Sequence, residues 1–263
     1  IDTANVPVAR AYHTALWTGS RMIIWGGKNA STKYKDGGVF DPTANEWKIG
    51  SYSNLNDGTH ANNPAVRYEH LAVWTGPGTA ESWNNKMIVW GGTGNGTSGL
   101  NSGAIYDMAL DIWTTMGTDS APTGRWRFSS VWTDAGSNSW NNKIIVWGGY
   151  NGTNPLADGA TYDPSINSWT TMTATTNAPS ARMYHSAVWT GTRMIIWGGD
   201  GIKQVGGVYN PATSEWNDTS ITAAPSARLS HTGVWDSTNN FMIIWGGWDG
   251  TNQLYTGGTY TAQ

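Results

Sequence analysis

Cysteine is absent from the 263 residues, which excludes disulfides, thiolate nucleophiles and Cys-ligated metals together. Charge is scarce as well. Asp, Glu, Lys and Arg make up 13% of the chain, and 15 basic against 18 acidic side chains leave a net charge of −3. No basic stripe is present, so the balance does not favour nucleic acid. Apolar runs stop at about five residues, far short of the roughly 20 that a membrane-spanning helix needs. No basic stretch leads into an apolar one at the N-terminus, so no signal peptide is visible, although a processed chain would read the same way.

What the chain has instead is repetition. "RMIIWGG" at 21–27 returns as "KMIVWGG" (86–92), "KIIVWGG" (143–149), "RMIIWGG" (193–199) and "FMIIWGG" (241–247). Upstream stand "ARAYHTALW", "VRYEHLAVW", "GRWRFSSVW", "ARMYHSAVW" and "ARLSHTGVW". Downstream stand "GGVFDP", "SGAIYD", "DGATYD", "GGVYNP" and "GGTYTA". A Trp follows the aromatic of that last phrase in four units: Phe40 to Trp47, Tyr106 to Trp113, Tyr162 to Trp169 and Tyr209 to Trp216. Such a period marks a repeat architecture. Each unit reads as four short strands, A to D, separated by Gly, Asn, Asp and Pro. Strand B is apolar at consecutive positions, as in Met22-Ile23-Ile24-Trp25, so it is expected to be buried on both faces. Like sheets placed on either side of it, by radial repetition, meet that requirement.

Apolar residues, Gly-Gly, then a spaced aromatic and Trp resemble the kelch repeat of β-propellers, and the match runs along essentially the whole chain. The wording "ARAYHTALWTGSRMIIWGG" is similar to kelch-type repeats of bacterial extracellular proteins. The expected fold is an all-β propeller, one domain over 1–263, with repeats at approximately 10–50, 67–117, 125–173, 182–220 and 228–263. The last blade is incomplete, because the chain stops three residues after Tyr260 and lacks the strand-D Trp. Ile1, Asp2 and Thr3 would supply only the tail of such a strand. A five-bladed ring is the favoured expectation, with a piece of a larger propeller as the alternative.

Residues shared by every blade are expected to serve geometry. Arg10, Arg67, Arg125, Arg182 and Arg228 head the A strands and should tie blades together through carbonyls or through Asp41, Asp107 and Asp163 of strand C. His13, His70, His185 and His231 share one position, with Phe128 in the third blade; structural hydrogen bonding is expected, and no metal. Most Trp residues repeat and read as core. Trp83, Trp126, Trp140 and Trp248 do not.

Positions that vary between blades carry the functional signal. The D–A and B–C connections fall at one end of an antiparallel blade. That end holds the residue two past each Arg (Tyr12, Glu69, Arg127, Tyr184, Ser230) and the residue after each Gly-Gly (Lys28, Thr93, Tyr150, Asp200, Trp248). Such a mixture suits a polar ligand pocket. The candidate site is Tyr12, Glu69, Trp126, Arg127, Tyr150, Tyr184, Asp200 and Trp248, with Trp126, Arg127 and Tyr150 at its centre. A secondary surface at the other end carries Trp83 and Trp140 in two long A–B insertions.

Catalytic patterns are missing. Glycosidases of the propeller type need paired carboxylates near the axis, and only Glu69 is placed for this. The copper oxidases built on kelch blades need a Tyr–Cys crosslink that this chain lacks the Cys to form. No nucleophile elbow, phosphate loop or His-Glu-x-x-His occurs. The expected function is a non-enzymatic extracellular or cell-surface binding or assembly module without cofactor, its partner a glycan or a protein. A structural scaffold assembling through the open blade edge is one alternative, and a sugar epimerase or lyase is another.

Overall fold

The computed structural model describes all residues except 1–3, 49–51, 57–59, 77–83, 135, 137, 174–175, 202, 220–223 and 261–263. Five antiparallel sheets follow one another along the chain. The first blade is β1 (Thr14–Trp17), β2 (Met22–Trp25), β3 (Gly37–Asp41) and β4 (Glu46–Lys48). One helical turn, α1 (Ser53–Asn56), precedes the second blade of β5 (Leu71–Trp74), β6 (Lys86–Trp90), β7 (Gly103–Asp107) and β8 (Ile112–Thr115). The third is β9 (Ser129–Trp132), β10 (Ile144–Trp147), β11 (Gly159–Asp163) and β12 (Ser168–Thr171). The fourth is β13 (Ser186–Trp189), β14 (Met194–Trp197), β15 (Gly206–Asn210) and β16 (Glu215–Asp218). The fifth has three strands, β17 (Thr232–Asp236), β18 (Phe241–Trp245) and β19 (Gly257–Tyr260).

Strand order in each sheet is sequential, the A–B–C–D meander that the repeated phrases imply. Register also repeats. Trp25 lies opposite Thr14 and Gly37, and Trp197 opposite Ser186 and Gly206, so small residues flank the B-strand indole in its own sheet. A Cβ on Gly206 would lie only 2.9 Å from the Trp197 Cα, which explains the recurring glycine at the head of strand C. Among the described residues the fifth blade has three strands, the number expected without a strand-D Trp. Residues 1–3 lie outside the described residues, so their expected contribution to a D strand has no structural counterpart here.

The chain forms two compact units, residues 1–126 with 163–169, and residues 127–162 with 170–263. In the first unit, Ile23, Trp25 and Val39 of one blade pack against Met87, Val89, Tyr106 and Trp113 of the next, with Tyr52 and Leu55 of the α1 segment completing the cluster. In the second, Val131, Ile145 and Trp147 meet Met194, Ile196, Tyr209 and Trp216. Val188, Ile195, Trp197 and Val208 then meet Met242, Ile244 and Tyr260. Alternate residues of one B strand thus serve two neighbours, as continuous apolarity requires.

Strand-D Trp does more than cover its own blade. Trp113 sits 5.1 Å from Tyr106 of its own sheet and 5.5 Å from Trp25 of the preceding one. Trp147 and Trp216 repeat the second contact at 5.5 Å. Indole pairs of this kind add about 0.5–1.5 kcal/mol beyond area burial.

The fifth blade departs from the expectation of burial on both faces. Ile195 and Trp197 of the fourth blade are fully buried, whereas the equivalent Ile243 and Trp245 are 37% and 59% exposed. Only the Met242 and Ile244 face of β18 is covered. Equivalent substitutions therefore separate the two blades. Ile195→Asp should remove soluble expression, since it forfeits roughly 1.5–3 kcal/mol of burial and encloses a charge without a partner. Ile243→Asp should leave soluble protein with a melting temperature within a few degrees of the parent. Soluble yield and thermal melts check both.

Candidate functional site

The end carrying the D–A and B–C connections is built by the paired glycines. Both have positive φ, 67° and 91° at Gly26 and Gly27, a region that residues with a Cβ rarely enter. A Cβ on Gly27 would lie 2.7 Å from the Ala11 carbonyl oxygen. That close approach brings the two connections together, and isolated bridges pair Ala11 with Lys28, Tyr68 with Thr93 and Leu229 with Trp248. The second glycine of each pair also donates its N–H to the carbonyl of the next blade's Arg: Gly27 to Arg67, Gly92 to Arg125 and Gly149 to Arg182, each at 2.8 Å, and Gly199 to Arg228 at 3.0 Å.

The residue two past each Arg is left-handed in all five blades, although none is Gly or Asn. Tyr12, Glu69, Arg127, Tyr184 and Ser230 have φ between 52° and 59°. L-residues visit this region at a cost of roughly 1–2 kcal/mol, so something must hold it. Backbone bonds do. Glu69 N–H donates to Tyr12 O at 3.1 Å, Tyr184 N–H to Arg127 O at 3.1 Å and Ser230 N–H to Tyr184 O at 2.9 Å. Because the belt is made of main chain, the side chains at these positions are free to vary.

The invariant residues are architectural. Arg67 Nη1 donates to the carbonyls of Gly91 and Ser102 at 3.0 and 2.7 Å, and Nε to Ala65 O. Arg182 and Arg228 use the corresponding carbonyls of Gly198 and Val205, and of Gly246 and Thr256. Burial pulls the Arg67 guanidinium down to about 10, so it stays charged at neutrality. The carbonyl route is therefore correct, but the strand-C Asp route is not. Asp41 faces Arg21, Asp107 faces Lys86, and Asp163 accepts the Ser165 N–H in the C–D turn. Strand C ends at the opposite end of the blade, beyond the reach of these arginines. Arg10 also pairs with a carboxylate, Asp36, at 2.8 Å.

Each buried His joins two blades. His70 Nε2 shares a hydrogen bond with Thr14 Oγ1 at 3.0 Å, His185 with Ser129 at 2.6 Å and His231 with Ser186 at 2.7 Å. Their rings stand edge-on to Trp25, Trp147 and Trp197 of the preceding blades, at 5.2, 5.4 and 5.1 Å. Among the described residues, no three His, Asp or Glu side chains come together as a metal cluster would.

The variable side chains fall into two groups. In the first unit, Lys28 Nζ lies 4.3 Å above the Tyr68 ring and 5.4 Å from that of Tyr12, which is 56% exposed. A cavity of about 440 Å³ opens there, lined by Ala9, Arg10, Ala11, Tyr12, Lys28 and Asn29 among others. Glu69 is half-buried nearby in the same belt. In the second unit, the Arg127 guanidinium stacks on Tyr184 at 4.7 Å. Tyr150 is half-buried and bridged to Pro155. Asp200 is half-buried and accepts the Met183 N–H at 2.6 Å. Trp248 is 38% exposed.

The family model described as the Attractin/LZTR1 beta-propeller matches residues 1–254. The chain belongs to that family. Kelch-repeat relatives agree with this assignment. It is 26% identical over 162 residues to the kelch repeat-containing protein kel-10 of Caenorhabditis elegans, covering 62% of this chain and 24% of that protein. It is also 26% identical over 203 residues to the Rab9 effector protein with kelch motifs of Xenopus laevis, covering 73% and 50%. The chain thus spans about a quarter to a half of the length of these relatives, which are animal rather than bacterial proteins.

In this kelch-type propeller, Trp126 requires correction as an exposed ligand aromatic: it is 2% exposed. It follows the buried Arg125, at the position of the equally enclosed Tyr68, and points inward. Trp83 lies outside the described residues. Trp140 is half-buried, with its indole nitrogen enclosed. The Tyr68 platform for Lys28 went unnoticed in the sequence. So did a Pro three residues before every Arg (Pro7, Pro64, Pro122, Pro179, Pro225). Pro7, Pro179 and Pro225 lie against the strand-C glycines Gly38, Gly207 and Gly258.

The buried imidazoles make stability depend on pH. Burial holds His70 and His185 at about 3 and His231 at about 4, against 6.5 in the unfolded chain. These folded values are depressed, so stability is intact above pH 6.5 and falls as the pH drops, because only the unfolded chain takes up the protons. Going from pH 7 to 5 should cost about 2 kcal/mol per imidazole. His185→Phe, following Phe128 at the same position, should show a shallower loss in thermal melts at the two pH values.

Proposed function

We propose that the chain is a non-enzymatic protein-binding module that takes its partner on the end where the D–A and B–C connections meet. One observation carries this reading: five residues with the same left-handed backbone bear five-fold repeated structure but four different side-chain types. Geometry fixes the φ angle and leaves the chemistry to vary. The kelch relatives support a role in binding proteins, since one is described as a Rab9 effector protein.

The chemistry presented is cation on aromatic. Lys28 over Tyr68 and Tyr12, and Arg127 over Tyr184, each hold a positive head on a flat platform. Such pairs pre-order a long side chain and present its positive charge to a carboxylate. An acidic or aromatic-acidic peptide segment is the ligand class that fits. A glycan is the second reading, resting on the exposed Trp248 beside Gln253 in a cavity of about 380 Å³. An extracellular setting belongs to this reading and rests on composition.

Panning a random peptide display library against the whole chain tests the proposal. Acidic peptides should be enriched, and Lys28→Ala or Arg127→Ala should weaken their binding about tenfold while the melting temperature holds. Leu110→Ser and Ile166→Ser, at the exposed C–D turns of the opposite end, should leave binding intact. Binding lost only in those turn variants would place the site at the wrong end. Enrichment on a glycan array, with no peptide enriched, would favour the sugar reading.

A further inference from the structure

The B–C connections of the third and fifth blades, both in the second unit, are one turn written twice. Asn151-Gly152-Thr153-Asn154 and Asp249-Gly250-Thr251-Asn252 differ only at the first residue. Asn151 Oδ1 accepts the N–H groups of Thr153 and Asn154 at 2.7 and 2.8 Å. Asp249 Oδ1 accepts those of Thr251 and Asn252 at 2.8 and 2.6 Å. Asn151 N–H donates back to Asn154 O at 3.2 Å, and Asp249 N–H to Asn252 O at 3.1 Å. Leu156 and Leu254 close the two turns onto the carbonyls of Gly149 and Gly247, each at 2.8 Å. Gly152 and Gly250 share a positive φ, 111° and 97°. The same turn thus holds an amide in one blade and a carboxylate in the other.

An Asn followed by Gly is open to cyclisation, because no Cβ shields the nitrogen that must attack the side-chain carbonyl. Two N–H donors on Oδ1 add to this, since they stand where negative charge gathers as that nitrogen attacks. Three turns of the chain differ in whether the attack is free. Asn29 has both donors, from Ser31 and Thr32 at 3.0 and 2.7 Å, but Ala30 follows it. Asn95 stands in the same Asn-Gly-Thr wording as Asn151, and its Oδ1 accepts the N–H groups of Thr97 and Ser98 at 2.9 and 3.1 Å. The Gly96 N–H, however, is held by the Oγ1 of the fully buried Thr93 at 2.8 Å. Among the described residues, nothing accepts the Gly152 N–H. Asn151 and Gly152 are only half-buried, so water reaches them.

We propose that Asn151 is a site of spontaneous modification in the folded protein, converting to an aspartyl or isoaspartyl residue, while Asn95 is spared. The Gly152 nitrogen loses its proton and bonds to the Asn151 Cγ. The Cγ–Nδ2 bond breaks, and ammonia leaves with that proton. Water then opens the succinimide at either carbonyl, so the net change is ammonia lost and water gained, with no oxidant or reductant. Opening to the aspartyl form recreates the Asp249 turn, and that product is accommodated without rebuilding the loop. It adds one negative charge next to Tyr150, on the end that carries Asp200 and Asp249. An effect of that charge on an acidic partner rests on the binding reading above; the reaction does not.

Ageing the whole chain at mildly alkaline pH, followed by peptide mapping with mass spectrometry, tests this. Because both sites read Asn-Gly-Thr, the urea-denatured chain should convert Asn95 and Asn151 at similar rates. The folded chain should convert Asn151 about tenfold faster than Asn95. Thr93→Val, which keeps the shape and removes the hydroxyl, should bring Asn95 up toward the Asn151 rate and leave Asn151 unchanged, with a thermal melt to confirm folding. Asn151→Asp should melt within a few degrees of the parent, as the Asp249 turn implies. Asn151 left intact in the folded chain, or Asn95 converting as fast, would overturn the proposal. A Thr93→Val chain that folds and still spares Asn95 would remove the role given to that hydroxyl, and an Asn151→Asp chain that melts far below the parent would remove the accommodated product.

Discussion

The structure depends on how closely one backbone can approach another at the end of strand B. Two glycines with positive φ remove the Cβ atoms that would collide with a neighbouring His and a neighbouring carbonyl. The gap they leave admits an imidazole edge-on to Trp, and it places an N–H where the next Arg carbonyl can accept it. The Arg is held in turn by the carbonyls of its own blade. One local steric allowance thus sets the spacing of successive sheets, and the B-strand side chains fill the space between them.

Burial and hydrogen bonding act together at these junctions. An imidazole enclosed without a partner would be costly, and the Thr or Ser on strand A supplies one. The arginines follow the same logic, since a guanidinium with five donors is satisfied by several carbonyls at once. Polar groups therefore sit inside the sheet stack as fasteners, while the indoles and aliphatic chains around them provide the apolar area.

Most of this was legible in the sequence because each contact is used several times over. Strand order, the role of Gly-Gly, the buried B strands and the structural His follow from reuse of the same words at the same spacing. What failed was anything decided by a single position. Trp126 looks variable by type, but its place beside Arg125 makes it the counterpart of Tyr68 and buries it. Asp41 and Asp107 recur with the arginines, yet the meander carries them to the other end of the blade, where Arg21 and Lys86 are waiting. Exposure of Ile243 and Trp245 is invisible in a strand whose wording matches the buried ones. The candidate site was legible as a set of positions, and its cation–aromatic pairs were not.

The left-handed backbone shared by Tyr12, Glu69, Arg127, Tyr184 and Ser230 also has a bearing on how such a molecule changes over time. Main-chain hydrogen bonds link Glu69 to Tyr12, Tyr184 to Arg127 and Ser230 to Tyr184 without using any of these side chains. Exchange at one of these sites alters the chemistry of the surface while the backbone strain stays roughly constant for any residue with a Cβ. New recognition can therefore be sampled with little risk to folding, one blade at a time. A scaffold of this kind separates the part that must be inherited unchanged from the part that is free to drift.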